Sequence, residues 1–191
     1  LEDLVFAVAA AVPGLAPTPE QVAAEAMLAQ GDKDGVEIDQ GILLAHVLAS
    51  SRAGTSLCHA MLLPLPESAE HVARLAADGR LDLGTVLVER RGKVVHVSAA
   101  NPRFLNAEDD TTLSRMETAV DAAILDRESE IMVLRGGAVE HPKYAGRRVF
   151  GAGINLTHLY RGRIPFVWFL RRDLGYVHKL FRGVAAADAV P

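Results

Sequence analysis

The chain is 191 residues long, half of them hydrophobic, with 20 Lys and Arg against 24 Asp and Glu for a net charge of −4. That is a globular composition, and it excludes disorder over most of the length. The length allows one domain or two small ones with a core that needs no staples. The lone Cys58 excludes an internal disulfide. Together with an opening Leu1-Glu2-Asp3 that carries no basic segment ahead of its apolar run, it points to a reducing cytoplasm. The apolar runs at 62–66 and 166–170 are far too short for a membrane span, so no membrane partner is expected.

The first eighty or so residues read as helices. Thr18-Pro19-Glu20 opens one with a cap residue and a first-turn proline, and Gly31 closes it. Ile38, Ile42 and residues 45–48 give the next its apolar stripe, and Pro66-Glu67-Ser68 starts a helix that stops at Asp78-Gly79. Met27, Met61 and the leucines are assigned to the core of this helical subdomain, residues 1–83. The pattern changes at Gly84, where Thr85–Glu89 and Lys93–Ser98 are rich in valine around an Arg91-Gly92 turn and predict a β-hairpin. Asp109 or Asp110 can cap a helix carrying Leu113, Met116, Val120 and Ile124, and Ile131–Leu134 reads as a short apolar strand. Strand, helix, strand makes a parallel crossover, hence an α/β second part over residues 84–191. Helices are predicted for 155–160 and 165–182, with a featureless tail at 185–191 and no internal repeat.

Charge is unevenly spread. Residues 141–183 hold nine basic groups and one acid, a net of +8 that leaves −12 for the remainder. A solvated helix face or a phosphate-bearing ligand would account for it, whereas sparse aromatics and the acidic remainder argue against nucleic acid. The seven histidines show no pair three or four apart and there is one cysteine, so no metal is expected. No serine sits in a nucleophile elbow, and Gly151 and Gly153 lack the third glycine of a dinucleotide fingerprint. What remains is a glycine turn opening a helix at Asn155, where unpaired amides and the helix dipole would favour an oxyanion. An ordinary turn without a ligand fits as well.

In order and spacing, Asn101-Pro102-Arg103-Phe104-Leu105-Asn106-Ala107 after a valine hairpin, an amphipathic helix, Ile131–Gly137 and Gly151-Ala152-Gly153-Ile154 resemble the first half of the crotonase (enoyl-CoA hydratase) superfamily over roughly residues 84–183. The resemblance implies a crotonase-like ββα core behind a helical N-terminal extension. It also implies a backbone amide at Ile154 that holds the thioester oxygen of an acyl-CoA. Residues 153–160, 171–176 and the helical extension look closest to a branch of glycopeptide-antibiotic biosynthesis. Its members oxygenate an arylacetyl-CoA with dioxygen and use neither metal nor organic cofactor. Hydratases of the superfamily usually carry an acid after the oxyanion turn, where this chain has Asn155. A hydratase, isomerase or thioesterase is the rival enzyme reading.

The resemblance places Ala152, Gly153, Asn155, Leu156 and Thr157 around the thioester, His141, Pro142, Lys143 and Tyr144 along the substrate and pantetheine, and Pro102 and Arg103 near the CoA. It sets Glu108 and Arg172 against the ring hydroxyls. Glu108 otherwise reads as a helix-start acid and Arg172 as a solvated charge, with Arg171 a substitute for it. The superfamily's second oxyanion amide falls tens of residues beyond the first. The sequence thus predicts a chain that lacks the second half of its catalytic domain and associates with other chains, as a trimer, a hexamer or with the missing half. An inactive fragment is the non-enzymatic alternative. Ile131–Leu134 is expected to lack later strands and Ile164–Leu170 a surface to cover, leaving aromatics such as Trp168 exposed.

Overall fold

A computed structural model of the chain describes residues 1–186 and residue 188, so part of the expected tail lies outside the described residues. The valine-rich segments form the predicted hairpin. β2 (Val86–Arg91) pairs antiparallel with β3 (Val94–Ala99), and Gly92, at φ +60°, sits in the two-residue connection. A short β1 (Arg80–Asp82), unforeseen in the sequence, adds antiparallel to β2. The crossover helix α6 (Leu113–Leu125) returns the chain to β4 (Ile131–Gly136), which runs parallel to β3 with Ile131 opposite Val94. The sheet order is β1-β2-β3-β4, a mixed α/β arrangement as expected.

Alternation decides which face is buried. Val86, Val88, Val95 and Val97 have no solvent exposure and pack with Leu113, Met116 and Val120 of α6, whose helical spacing makes one apolar stripe. On the edge strand the alternate residues Ile131 and Val133 face outward.

Five helices precede the sheet: α1 (Glu2–Ala11), α2 (Pro19–Ala26), α3 (Val36–Ala49), α4 (Ser51–Met61) and α5 (Ser68–Asp78). Thr18 and Gln21 form a reciprocal cap for α2, which ends at Ala26 rather than running to Gly31; Gly31 lies in a separate 3-10 turn. Met27, expected in the core, is 86% exposed just past that end. The expected stripe on α3 is also wrong, since Ile38 and Ile42 face solvent while Glu37, Gln40, Gly41 and Leu44 are buried. Polar anchoring selects that face. The Glu25 carboxylate accepts from the Gly35 and Glu37 amides at 2.6 and 3.1 Å, and Lys33 joins Glu37 to the Gly162 carbonyl at 3.0 Å each. Gly41 lets α3 close on Phe166, whose ring occupies the place of a Cβ.

That contact explains a second correction. Beyond β4 come α7 (Leu156–Tyr160), α8 (Phe166–Arg172), a π turn (Asp173–Val177) and α9 (His178–Arg182). Ile164, Val167 and Trp168 are buried and not exposed as expected. Val167 and Leu170 of α8 join Val5, Ala9, Ala16 and Leu44, so the N-terminal helices supply the missing cover. Trp168 packs in the sheet core, and its Nε1 donates to the Asp109 carbonyl at 3.2 Å.

Two buried polar centres hold these layers in register. The Asp109 carboxylate takes four hydrogen bonds, from the Thr111 amide (3.0 Å) and hydroxyl (2.7 Å) and from Nδ2 of Asn101 (3.1 Å) and Asn155 (2.8 Å). Lys179, with no exposure, lies between Glu117 at 2.8 Å and Asp121 at 2.9 Å, while the other Asp121 oxygen accepts from the Leu65 amide and the Ser68 hydroxyl.

Removing the cation from the second centre strands two buried carboxylates. Lys179→Met should therefore cost about 3–5 kcal/mol in urea unfolding at neutral pH. For Asp109, burial alone would push the carboxyl up, yet the bonds from Thr111 and Asn155 outweigh it and hold the group below the usual carboxylate range. A lowered folded value stabilises above the ordinary aspartate range, and the contribution is lost as pH falls through the lowered value. Asp109→Asn should cost about 1–3 kcal/mol at neutral pH and flatten this acid-side loss in urea midpoints measured against pH.

Candidate active site

The glycine turn is held by a single residue. The Glu108 amide donates to the Gly153 carbonyl and the Asn155 amide to the Glu108 carbonyl, both at 2.8 Å, so Ile154 pairs with Glu108 in a one-residue parallel bridge. In that geometry the Ile154 N–H points away from Glu108, and it donates to no backbone acceptor among the described residues. Helix α7 has only five residues, so the free amide itself, more than a helix dipole, is what the turn offers.

The side chain of the same Glu108 is clasped from α8 and the π turn. Arg172 grips it with Nε to Oε2 at 2.7 Å and Nη2 to Oε1 at 2.9 Å, and the Tyr176 hydroxyl donates to Oε2 at 2.6 Å. The bidentate contact leads the causes that raise the Arg172 pKa. Burial first and Glu108 second push the Tyr176 phenol above its ordinary value, so it stays a neutral donor. These three groups form the polar end of a cavity of about 170 Å³, whose other walls include Met116, Leu134, Phe150 and Val177. Gly151 of the glycine turn borders it too. Glu108 Oε1, which accepts one bond, and the Tyr176 oxygen keep lone pairs for a ligand hydroxyl.

The expected site residues separate into groups. Glu108 and Arg172 meet as described, whereas Arg171 turns to Glu2 at 3.6 Å. Ala152, Gly153, Leu156 and Thr157 lie exposed around the Ile154 turn. Asn155 is buried and caps α7, its Oδ1 accepting from the Thr157 and His158 amides. Pro102 and Arg103 lie in a 3-10 turn with the Arg103 guanidinium 5.6 Å from the Phe104 ring centre. His141, Pro142, Lys143 and Tyr144 form another such turn, in which the Lys143 amide donates to His141 Nδ1 at 3.1 Å. Neither turn lines the cavity. Tyr176 went unforeseen, although it follows Arg172 by one helical turn in the sequence.

The fold also gathers Asp109, Asp110 and His158, whose ligand atoms lie within 4.8 Å of one another. Histidine and cysteine spacing could not reveal this, since His158 and Asp110 are 48 residues apart. These donors are already engaged within the fold. Both Asp109 oxygens are fully engaged by amide and hydroxyl donors, and Asp110 holds His158 Nδ1 at 2.5 Å.

No family model matches the chain. An enoyl-CoA hydratase subunit of Geobacillus kaustophilus aligns with 39% of this chain and 26% of its own at 23% identity and a TM-score of 0.33, too partial a likeness to carry an argument. A (3,5-dihydroxyphenyl)acetyl-CoA 1,2-dioxygenase from Amycolatopsis orientalis is 48% identical over 186 residues, and the chain spans 43% of that relative's length. Along 97% of its own length, then, the chain is a relative of this dioxygenase, and the resemblance carried by its glycine turn and its Arg171–Tyr176 run stands.

Proposed function

We propose that this chain supplies one oxyanion amide and the ring-reading end of a site that oxygenates 3,5-dihydroxyphenylacetyl-CoA, without metal or organic cofactor, to 3,5-dihydroxyphenylglyoxylate and CoA. The observation that carries the reading is the double role of Glu108. Its backbone fixes the turn that frees the Ile154 amide, and its side chain anchors the Arg172–Tyr176 cluster in the adjoining cavity. The relative's printed substrate is an aryl acid with two ring hydroxyls joined to CoA. An aryl ring suits the apolar walls, and its hydroxyls suit the acceptors at the polar end.

The chemistry follows from the thioester. Its α-carbon is acidified by the carbonyl and the aryl ring, and loss of a proton gives an enolate whose oxygen the Ile154 amide would hold. Loss of one such donor typically costs ~100–1,000-fold in rate. The carbanion transfers an electron to dioxygen, and the two recombine as a peroxide at the α-carbon. The peroxide attacks the thioester carbonyl and expels CoA thiolate. Loss of the remaining α-proton with heterolysis of the O–O bond then gives the α-keto acid, with one oxygen atom in the ketone and the other in the carboxylate. Hydration needs an acid to activate water, and Asn155, locked between Asp109 and the start of α7, is not one.

The proposal extends to the surroundings. Part of the basic set from Lys143 to Arg182 would meet the CoA phosphates, the outward edge of β4 would pair with further chain or another subunit, and the free Cys58 suits the cytoplasm. Among the described residues no helix is long and apolar enough to cross a membrane.

Oxygen uptake by the protein that contains this segment, supplied with 3,5-dihydroxyphenylacetyl-CoA, is the test. Uptake stoichiometric with CoA release and undiminished by chelators is expected, and CoA release unchanged under strict anaerobiosis would contradict the reading. CoA affinity should fall as salt rises, measured by calorimetry, and salt-insensitive binding would detach the basic set from the phosphates.

A further inference from the structure

The helix that carries Arg172 and Tyr176 is not continuous. Between α8 and α9 the chain makes a π turn in which Gly175 takes non-helical angles, φ −86° and ψ −115°. Such turns often mark places where a helix is adjusted for a task. A Cβ at Gly175 would stand 2.9 Å from Oε2 and 3.1 Å from Oε1 and Cδ of Glu117 on α6. A loose carboxylate would yield to that contact, but this one cannot. It is buried, Lys179 bonds it at 2.8 Å, and Lys179 is pinned on its other side by Asp121 at 2.9 Å.

We infer that Glu117 and Gly175 are positioning residues for the ring-reading cluster: the fixed carboxylate sets how closely the side-chain-free turn approaches α6, and so where Arg172 and Tyr176 meet Glu108. Tyr176 directly follows Gly175, so a backbone displaced there would lengthen the 2.6 Å bond from its hydroxyl to Glu108. The consequence for function rests on the proposed reading of the cavity as an aryl site, whereas the geometric consequence does not.

Tyrosine labelled with carbon-13 at Cζ separates the two. In the protein that contains this segment the Tyr176 resonance, assigned with Tyr176→Phe, should keep the shift of an un-ionised phenol through the pH range, about 10, in which a free tyrosine ionises. By NMR titration, 3,5-dihydroxyphenylacetate should bind more tightly than phenylacetate. Gly175→Ala should bring Tyr176 ionisation down by about one pH unit and reduce the preference for the dihydroxy acid roughly tenfold. Glu117→Gln keeps the shape and an acceptor for Lys179, so it should retain both signatures. Glu117→Ala removes the stop beneath the turn and should lose both. If Gly175→Ala does not fold, the contrast between Glu117→Gln and Glu117→Ala decides. Unchanged Tyr176 ionisation in the folded Gly175→Ala and Glu117→Ala variants would overturn the inference. If the unsubstituted chain does not distinguish the two acids, the aryl reading fails, and the Tyr176 titration still decides the positioning.

Discussion

The bridge between Glu108 and Ile154 is the constraint on which the site depends. A parallel bridge of one residue has little stability of its own, so the surroundings must impose it. They do so through Asp109, the next residue, whose carboxylate gathers the 101 loop, the start of α6 and the cap of α7, while its carbonyl takes the Trp168 indole. Fixing Asp109 fixes the direction in which Glu108 leaves the backbone. The free amide and the clasped carboxylate are two consequences of one local geometry.

The helical N-terminal region takes part in this. α3 and α1 cover α8, the helix that delivers Arg172. Lys33 crosses from the helical region to the Gly162 carbonyl, close to the end of α7. The +8 charge of residues 141–183 is partly spent inside the fold, since Arg172 pairs with Glu108, Arg171 with Glu2 and Lys179 with Glu117 and Asp121. Lys143 and Arg147, by contrast, remain exposed on the loop after β4.

Local pattern made part of this legible in the sequence. The hairpin, α6 and β4 follow from residues that alternate or repeat within one element, and the glycine turn from its order among them. The buried face of α3 was not legible, because Glu25, ten residues before Gly35, selects it against the apolar preference of Ile38 and Ile42. The cover over Val167 and Leu170 comes from helices more than a hundred residues away in the sequence. Glu108 and Arg172 came from a family resemblance, but their contact with each other and with Tyr176 spans 64 and 68 residues, a distance no local pattern reports. The break at Gly175 hid within a regular-looking helical run, because the Glu117 carboxylate that it packs against lies on another element.

A crystal structure of the protein containing this segment, bound to a non-reacting thioether or amide analogue of 3,5-dihydroxyphenylacetyl-CoA, tests the central claim most directly. In the amide analogue the carbonyl oxygen should lie within about 3 Å of the Ile154 nitrogen. In either analogue the ring hydroxyls should contact Glu108, Arg172 or Tyr176. A ring bound elsewhere, with the Ile154 amide turned to solvent or to another protein group, would contradict the account.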